Sequence, residues 1–106
     1  MAETVAKFVA GDLLTTASRE RLIDWMIATK TGNKRIRAGL PKGWRAGDKT
    51  GTASADTMTD KVNDVAIVWP PEKPPIVIAA YYDSAKRSAA MREKDEAILA
   101  DVGRIA

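Results

Sequence analysis

Six residues, Pro70-Pro71-Glu72-Lys73-Pro74-Pro75, stand between two apolar runs and hold four of the five prolines of the 106-residue chain. Proline has no amide hydrogen to give to a helix or a sheet ladder and fixes its own φ, so no regular element crosses this stretch. Before it lies a segment over residues 62–69 that contains Val65-Ala66-Ile67-Val68-Trp69; after it lies a second apolar run over residues 76–82. Both are short and rich in β-branched and aromatic side chains, as strands are. A link of this length suits a hairpin, so the two strands are expected to be antiparallel neighbours. The unbroken apolar run at residues 65–69 predicts a strand buried on both faces, or nearly so.

The rest of the chain arranges itself around that hairpin. Val5, Phe8 and Val9 fall at i, i+3 and i+4, which predicts a short helix over about residues 2–10, stopped by Gly11. Thr15, Thr16 and Ser18 are candidate N-caps of a second helix running to about Thr29, with Leu22, Trp25 and Met26 on one face and Ile23 and Ile27 adjoining. Thr31-Gly32-Asn33 is a turn signal, and a brief helical turn is expected over residues 33–37 before Leu40-Pro41-Lys42-Gly43 breaks the chain. Residues 44–52 read as a first strand and residues 53–61 as a polar loop. At the end, Met91, Ala97, Ile98, Val102 and Ile105 predict a helical stripe over about residues 89–105. The reading is thus one unit of α+β class: a helical part over residues 1–43, a three-stranded antiparallel sheet over residues 44–83 and a C-terminal helix. Such a sheet is expected to leave an edge and a face unsatisfied.

Composition narrows the chemistry. The chain has no histidine and no cysteine, so a Ser-His-Asp or Cys-His arrangement is excluded within it, and a zinc site is disfavoured. The net charge is +3, but lysine and arginine alternate with acidic residues and form no basic stripe with stacking aromatics, so a nucleic-acid partner is not expected. No apolar stretch is long enough to span a bilayer. The opening Met1–Lys7 stretch lacks a basic segment followed by an apolar run, so it does not read as a secretory signal.

The stretch that carries chemistry is Gly47-Asp48-Lys49-Thr50-Gly51-Thr52. On a strand, the Lys49 ammonium attracts an anion and shifts the pKa of a neighbouring proton carrier. The Thr50 hydroxyl donates a hydrogen bond, and Gly51 lets a ligand lie against the backbone. The backbone N–H of Thr52 would then point into the site as an oxyanion donor. Taken alone, the tripeptide Lys-Thr-Gly fits a surface turn as well.

Its surroundings do not fit a surface turn. The whole segment over residues 32–52, the strand text Asn63-Asp64-Val65-Ala66-Ile67-Val68-Trp69-Pro70 and the helix text Leu13-Leu14-Thr15-Thr16-Ala17-Ser18-Arg19-Glu20-Arg21-Leu22-Ile23-Asp24-Trp25-Met26 resemble the C-terminal part of class A serine β-lactamases, in order and in spacing. Lys-Thr-Gly is one of that family's motifs, beside Ser-x-x-Lys and Ser-Asp-Asn. The resemblance implies that Lys49, Thr50 and Gly51 bind the substrate carboxylate and line the site. It also implies that Lys49 and the backbone N–H of Thr52 serve the chemistry, while the Thr52 hydroxyl meets the carboxylate too. Arg35 matches a position where some members place a guanidinium that supports the carboxylate pocket; the alternative is an ordinary surface arginine. Thr31 matches a site-rim position. Arg37 and Asp48 resemble a structural ion pair beneath the strand. Trp25, Trp44 and Trp69 read as packing residues rather than ligand stackers.

Neither Ser-x-x-Lys nor Ser-Asp-Asn occurs within these residues. The link after Thr52 is also longer than the family's usual one. The resemblance therefore implies part of an enzyme that hydrolyses the β-lactam amide through an acyl-enzyme, with the nucleophile supplied elsewhere. It implies no cofactor and no metal, and a periplasmic or secreted parent. Its partners would be a β-lactam held through its carboxylate and a complementary N-terminal segment or a second copy of the chain. Two other readings stand beside it: a non-catalytic truncated or self-associating module, and a fragment of a penicillin-binding transpeptidase.

Overall fold

The computed structural model describes residues 1–55, 58–84 and 93–106. In chain order the elements are α1 (Ala2–Val9), α2 (Thr16–Ala28), α3 (Ile36–Gly39), β1 (Arg45–Ala55), β2 (Met58–Trp69), β3 (Ile76–Asp83) and α4 (Glu93–Ile105). No helix among the described residues is long and apolar enough to cross a membrane.

The proline-marked hairpin is present. β2 pairs antiparallel with β3, Val68 opposite Ile76 and Val62 opposite Tyr82. β2 also pairs antiparallel with β1, Lys49 opposite Val65 and Gly51 opposite Asn63, so the order is β1-β2-β3. The central position of β2 explains its unbroken apolar run, since Ala66, Ile67 and Val68 are all buried.

Strand alternation divides the core in two. Ala46, Val62, Ala66, Val68 and Ala80 point to one face and pack with Ile36 of α3 and Leu99 of α4. Ile67 and the partly buried Trp69 and Val77 point to the other, against Val9 of α1 and Met26 of α2. Each fully buried Val, Ile or Leu contributes about 1.5–3 kcal/mol relative to exposure. Both faces thus carry helices, where an uncovered face was expected. The edges of β1 and β3 remain unpaired among the described residues.

Several expectations need correction. The polar stretch over residues 53–61 is not a loop: β1 continues to Ala55 and β2 already starts at Met58. Polar contacts hold this end of the sheet, where Ser54 donates to Asp60 at 2.6 Å and Asp83 accepts from both Thr59 and Lys61. The short helix begins at Ile36 rather than Asn33, because residues 31–34 form turns. Trp25 does not pack within the described residues, where it is 65% exposed, while Trp44 and Trp69 are partly buried against the two clusters. Arg45 stacks its guanidinium 4.5 Å from the Trp69 ring centre.

The last helix is rotated from the expected stripe. Asp95, Leu99, Ala100 and Gly103 face inward, while Ile98 and Ile105 are exposed. The cause is its close crossing with α3: a Cβ on Gly103 would lie 2.1 Å from the Ile36 carbonyl oxygen, and one on Gly39 1.7 Å from the Ala100 carbonyl oxygen. Small residues, not large apolar ones, therefore occupy the contact. Met91 and the expected first turns at residues 89–92 lie outside the described residues.

Candidate active site

β1 runs along the edge of the sheet, so the Lys49-Thr50-Gly51-Thr52 stretch has β2 on one side and no strand on the other among the described residues. Lys49 and Thr52 are exposed, and Thr50 and Gly51 half-buried. Alternation sends Lys49 and Gly51 to the α1/α2 face with Asn63, Val65 and Tyr81, and Thr50 and Thr52 to the α3/α4 face. A groove of about 560 Å³ opens on the first of these faces, walled by Val5, Phe8, Leu22 and Trp25 on the helices and by Lys49 and Gly51 on the strand. Lys49 Nζ donates to the Thr50 carbonyl oxygen at 2.6 Å. A Cβ at Gly51 would touch nothing but Asn63, at 3.6 Å and beyond, so within the protein the position has room to spare.

The turn leading into α3 supplies a partner for each of the strand's two hydroxyls. Thr31 Oγ1 lies 2.9 Å from Thr50 Oγ1, and Arg35 Nη2 donates to Thr52 Oγ1 at 2.6 Å. Arg35 is no surface arginine: it is 4% exposed. Its Nη1 donates to the carbonyl oxygens of Gly51 at 3.1 Å and Asn63 at 2.7 Å, joining β1 to β2, and its Nε meets Glu96 Oε2 at 3.2 Å. The guanidinium thus grips the strand from within. Of the site residues read from the sequence, Thr31 and Arg35 meet Thr50 and Thr52 directly, while Lys49 and Gly51 lie on the same strand but face the groove.

Beneath the strand is the ion pair of Arg37 with the fully buried Asp48. Arg37 also donates to the carbonyl oxygens of Met26 at 3.0 Å, Ile27 at 3.2 Å and Thr29 at 3.3 Å. These belong to the last turn of α2, where carbonyls lack helical partners and a cation is favoured. One side chain thereby ties the helix end to the strand. Asp64 is also fully buried and accepts the Ile36 N–H at 3.2 Å. Burial, and then the charge of Asp48, push its carboxyl up to about 7. Burial pushes Asp48 upward too, against the pull of Arg37.

Sequence reading missed Glu96, Asp64 and the groove position of Trp25. Asp64 could have been found from register, because it sits opposite Thr50, two residues from the partner of Asp48. No local signal marks Glu96, which is 61 residues from Arg35.

Comparison with known proteins bears on this arrangement. A family model described as Beta-lactamase2, beta-lactamase enzyme family, matches residues 1–106. The chain belongs to the beta-lactamase family. Beta-lactamase 3 of Bacillus cereus is 44% identical over 105 residues, covering 99% of this chain and 31% of that protein. A beta-lactamase of Bacillus amyloliquefaciens is 42% identical over 106 residues, covering 100% of this chain and 32% of that protein. An ancestral class A beta-lactamase (GNCA) superposes with a TM-score of 0.85 at 44% identity, covering 99% of this chain and 38% of the ancestral one. The resemblance to class A beta-lactamases therefore holds in sequence and in fold. The chain spans about a third of the length of the curated relatives it matches.

Proposed function

We propose that this chain supplies the carboxylate-binding strand and one oxyanion donor of a class A serine beta-lactamase, with the nucleophile contributed by polypeptide outside these residues. The carrying observation is that Thr50 and Thr52, on the sheet-edge strand beside Lys49, each have a hydroxyl held by the turn before α3, at 2.9 and 2.6 Å. That is an edge prepared for an anion: an ammonium and two oriented hydroxyls, with a glycine between them that keeps the approach low.

In this reading the lactam lies along β1 with its carboxylate at Lys49, Thr50 and Thr52. A serine oxygen from elsewhere attacks the lactam carbonyl carbon, and the oxygen of that carbonyl takes up negative charge facing the Thr52 N–H. Collapse breaks the ring C–N bond, the nitrogen takes a proton, and water later releases the acyl group. Lys49 contributes electrostatically, by attracting the substrate and by favouring anionic forms of its neighbours. The groove walled by Phe8, Leu22 and Trp25 is where the remaining fold would pack, which accounts for an exposed tryptophan beside the site.

The test is complementation. Alone, the chain should not turn over a chromogenic cephalosporin, because removing the nucleophile costs many orders of magnitude. Mixed with the N-terminal two-thirds of a class A relative, it should recover turnover that is lost on substituting Lys49. Association of the two pieces without turnover would overturn the proposal.

A further inference from the structure

The two open edges of the sheet differ. β1 carries the candidate site, whereas β3 carries neither a charge nor a proline from Ile76 to Tyr82. Such residues are what ordinarily keep an exposed edge from pairing. We propose that the β3 edge, together with the outer side of α4, docks a second copy of this chain about a two-fold axis at Ala79, joining two three-stranded sheets into one of six strands. The inference does not rest on the function proposed above, since β1 and its free edge lie at the other side of the sheet.

The phase of the ladder selects that axis. Ser84 donates its N–H to the Asp60 carbonyl oxygen at 2.9 Å, which is the rung next to Val62 and Tyr82. Tyr82, Ala80 and Ile78 therefore bond to β2, and the N–H and C=O groups of Val77, Ala79 and Tyr81 point to the open edge. An antiparallel pairing centred on Ala79 sets Val77 opposite Tyr81 of the second copy and Ala79 opposite its own counterpart, the small side chain standing on the axis. On the α4 face, Ile76 meets Tyr82 of the second copy. Aromatic and β-branched side chains opposite one another stabilise such pairs. Asp83 falls outside this register and is already held by Lys61 and Thr59.

α4 supplies the second contact. Ala100 and Gly103 face α3, and Leu99 faces the sheet. At about 100° per residue, Ile98, Val102 and Ile105 then lie on the side turned away from α3. Ile98 is 39% exposed and Ile105 87%. The helix lies over both β2 and β3, so with strands about 4.8 Å apart the two copies of α4 stand about 10 Å from one another, the distance at which helices pack. The exposed area is consistent with a missing partner. The chain exposes 6750 Å², about 900 Å² more than a folded monomer of 11.5 kDa. The groove and the β3 flank share that excess. An edge about 27 Å long and about 20 Å deep, sheet and helix together, presents about 500 Å² per copy, which is the lower bound for a specific interface and sets association in the micromolar range.

The experiment is sedimentation of the 106-residue chain from about 2 to about 200 µM, a span chosen to bracket that affinity. The mass should rise from 11.5 kDa to twice that value. Over the same span the amide hydrogens of Val77, Ala79 and Tyr81 should come to exchange at least about tenfold more slowly. Ala79→Pro removes an N–H that points outward, which an edge strand tolerates, and should abolish both effects. If Ala79→Pro does not fold, Ile98→Lys, which sets like charges across the axis, should weaken association at least about tenfold. Trp25→Lys, in the groove, should leave the dimer unchanged. A monomer at every concentration, growth beyond the dimer (a two-fold contact closes on itself), or a dimer lost in Trp25→Lys but kept in Ala79→Pro would overturn the proposal.

Discussion

Asp48 and Asp64 lie on the same face of the sheet, diagonally across β1 and β2, and neither exposes any surface. Asp48 Oδ2 and Asp64 Oδ1 meet no donor among the described residues. A proton shared by the two carboxyls would satisfy both oxygens, with Arg37 balancing the one remaining charge. Asp64 carries that proton up to about pH 7, well above the ordinary aspartate value of 3.8. In the unfolded chain Asp64 has already released it over that range. Between the two values the folded state binds more protons, so the Asp64 contribution favours folding at low pH and fades as pH rises, by at most about 1.4 kcal/mol per unit. Asp64→Asn should keep the Ile36 contact through its oxygen and offer Asp48 an N–H. Urea midpoints measured from pH 5 to 8 should fall with pH in the parent and fall less in the variant, with the variant the more stable at pH 8. Equal slopes would remove the shared proton from the account.

Arg37 is expected to matter more for folding than any other surface-reaching cation. Arg37→Met leaves Asp48 charged and buried and strips the last turn of α2 of its donor. The loss should be about 3–5 kcal/mol in chemical denaturation. Adding Asp48→Asn to the same chain should restore a large part of it, since the stranded charge is gone. A double variant no better than Arg37→Met would mean that the helix-end contacts dominate.

Gly51→Ala separates binding from stability. The added methyl meets only Asn63 at ordinary contact distance, so the unfolding free energy from urea titration should change by less than about 0.5 kcal/mol. The same methyl stands beside Lys49, where the lactam would lie. In the complementation assay kcat/KM should drop at least about tenfold, a cost of about 1.4 kcal/mol. Undiminished turnover would move the substrate off this strand.

Gly103→Ala addresses the crossing of α3 and α4. The new methyl would collide with the Ile36 carbonyl, and backbone cannot swing aside as a side chain can. Destabilisation of about 1–3 kcal/mol is expected in thermal or urea unfolding, against the usual gain from replacing a helical glycine. A stabilised variant would show that the two helices have slack between them.

How much of this was written legibly in the sequence varies with the distance over which the deciding contact acts. The β2–β3 hairpin was legible because proline enforces its effect locally, at positions 70–75. The Lys49–Thr52 strand, with Thr31 and Arg35 near it, was legible through resemblance. The strand extension beyond Thr52 was not, because that end of the hairpin is polar on both faces and offers no apolar alternation to detect. Helical period placed Leu22, Trp25 and Met26 on one face, but period does not reveal whether a neighbour covers all of that face, and Trp25 is left exposed. In α4 the search for large apolar residues chose Ile98 and Ile105, whereas a tight helix crossing selects Ala100 and Gly103. Glu96 meets Arg35 only after a fold brings together residues 61 positions apart.

The turn before α3 reaches the two hydroxyls at fixed offsets, Thr31 to Thr50 and Arg35 to Thr52. The turn from Thr31 to Arg35 and the strand from Thr50 to Thr52 are thereby clamped at both ends, so the length of one must match the length of the other. An insertion or deletion between Thr31 and Arg35 would throw one hydroxyl out of phase while leaving the other engaged, and no point substitution nearby could bring both back.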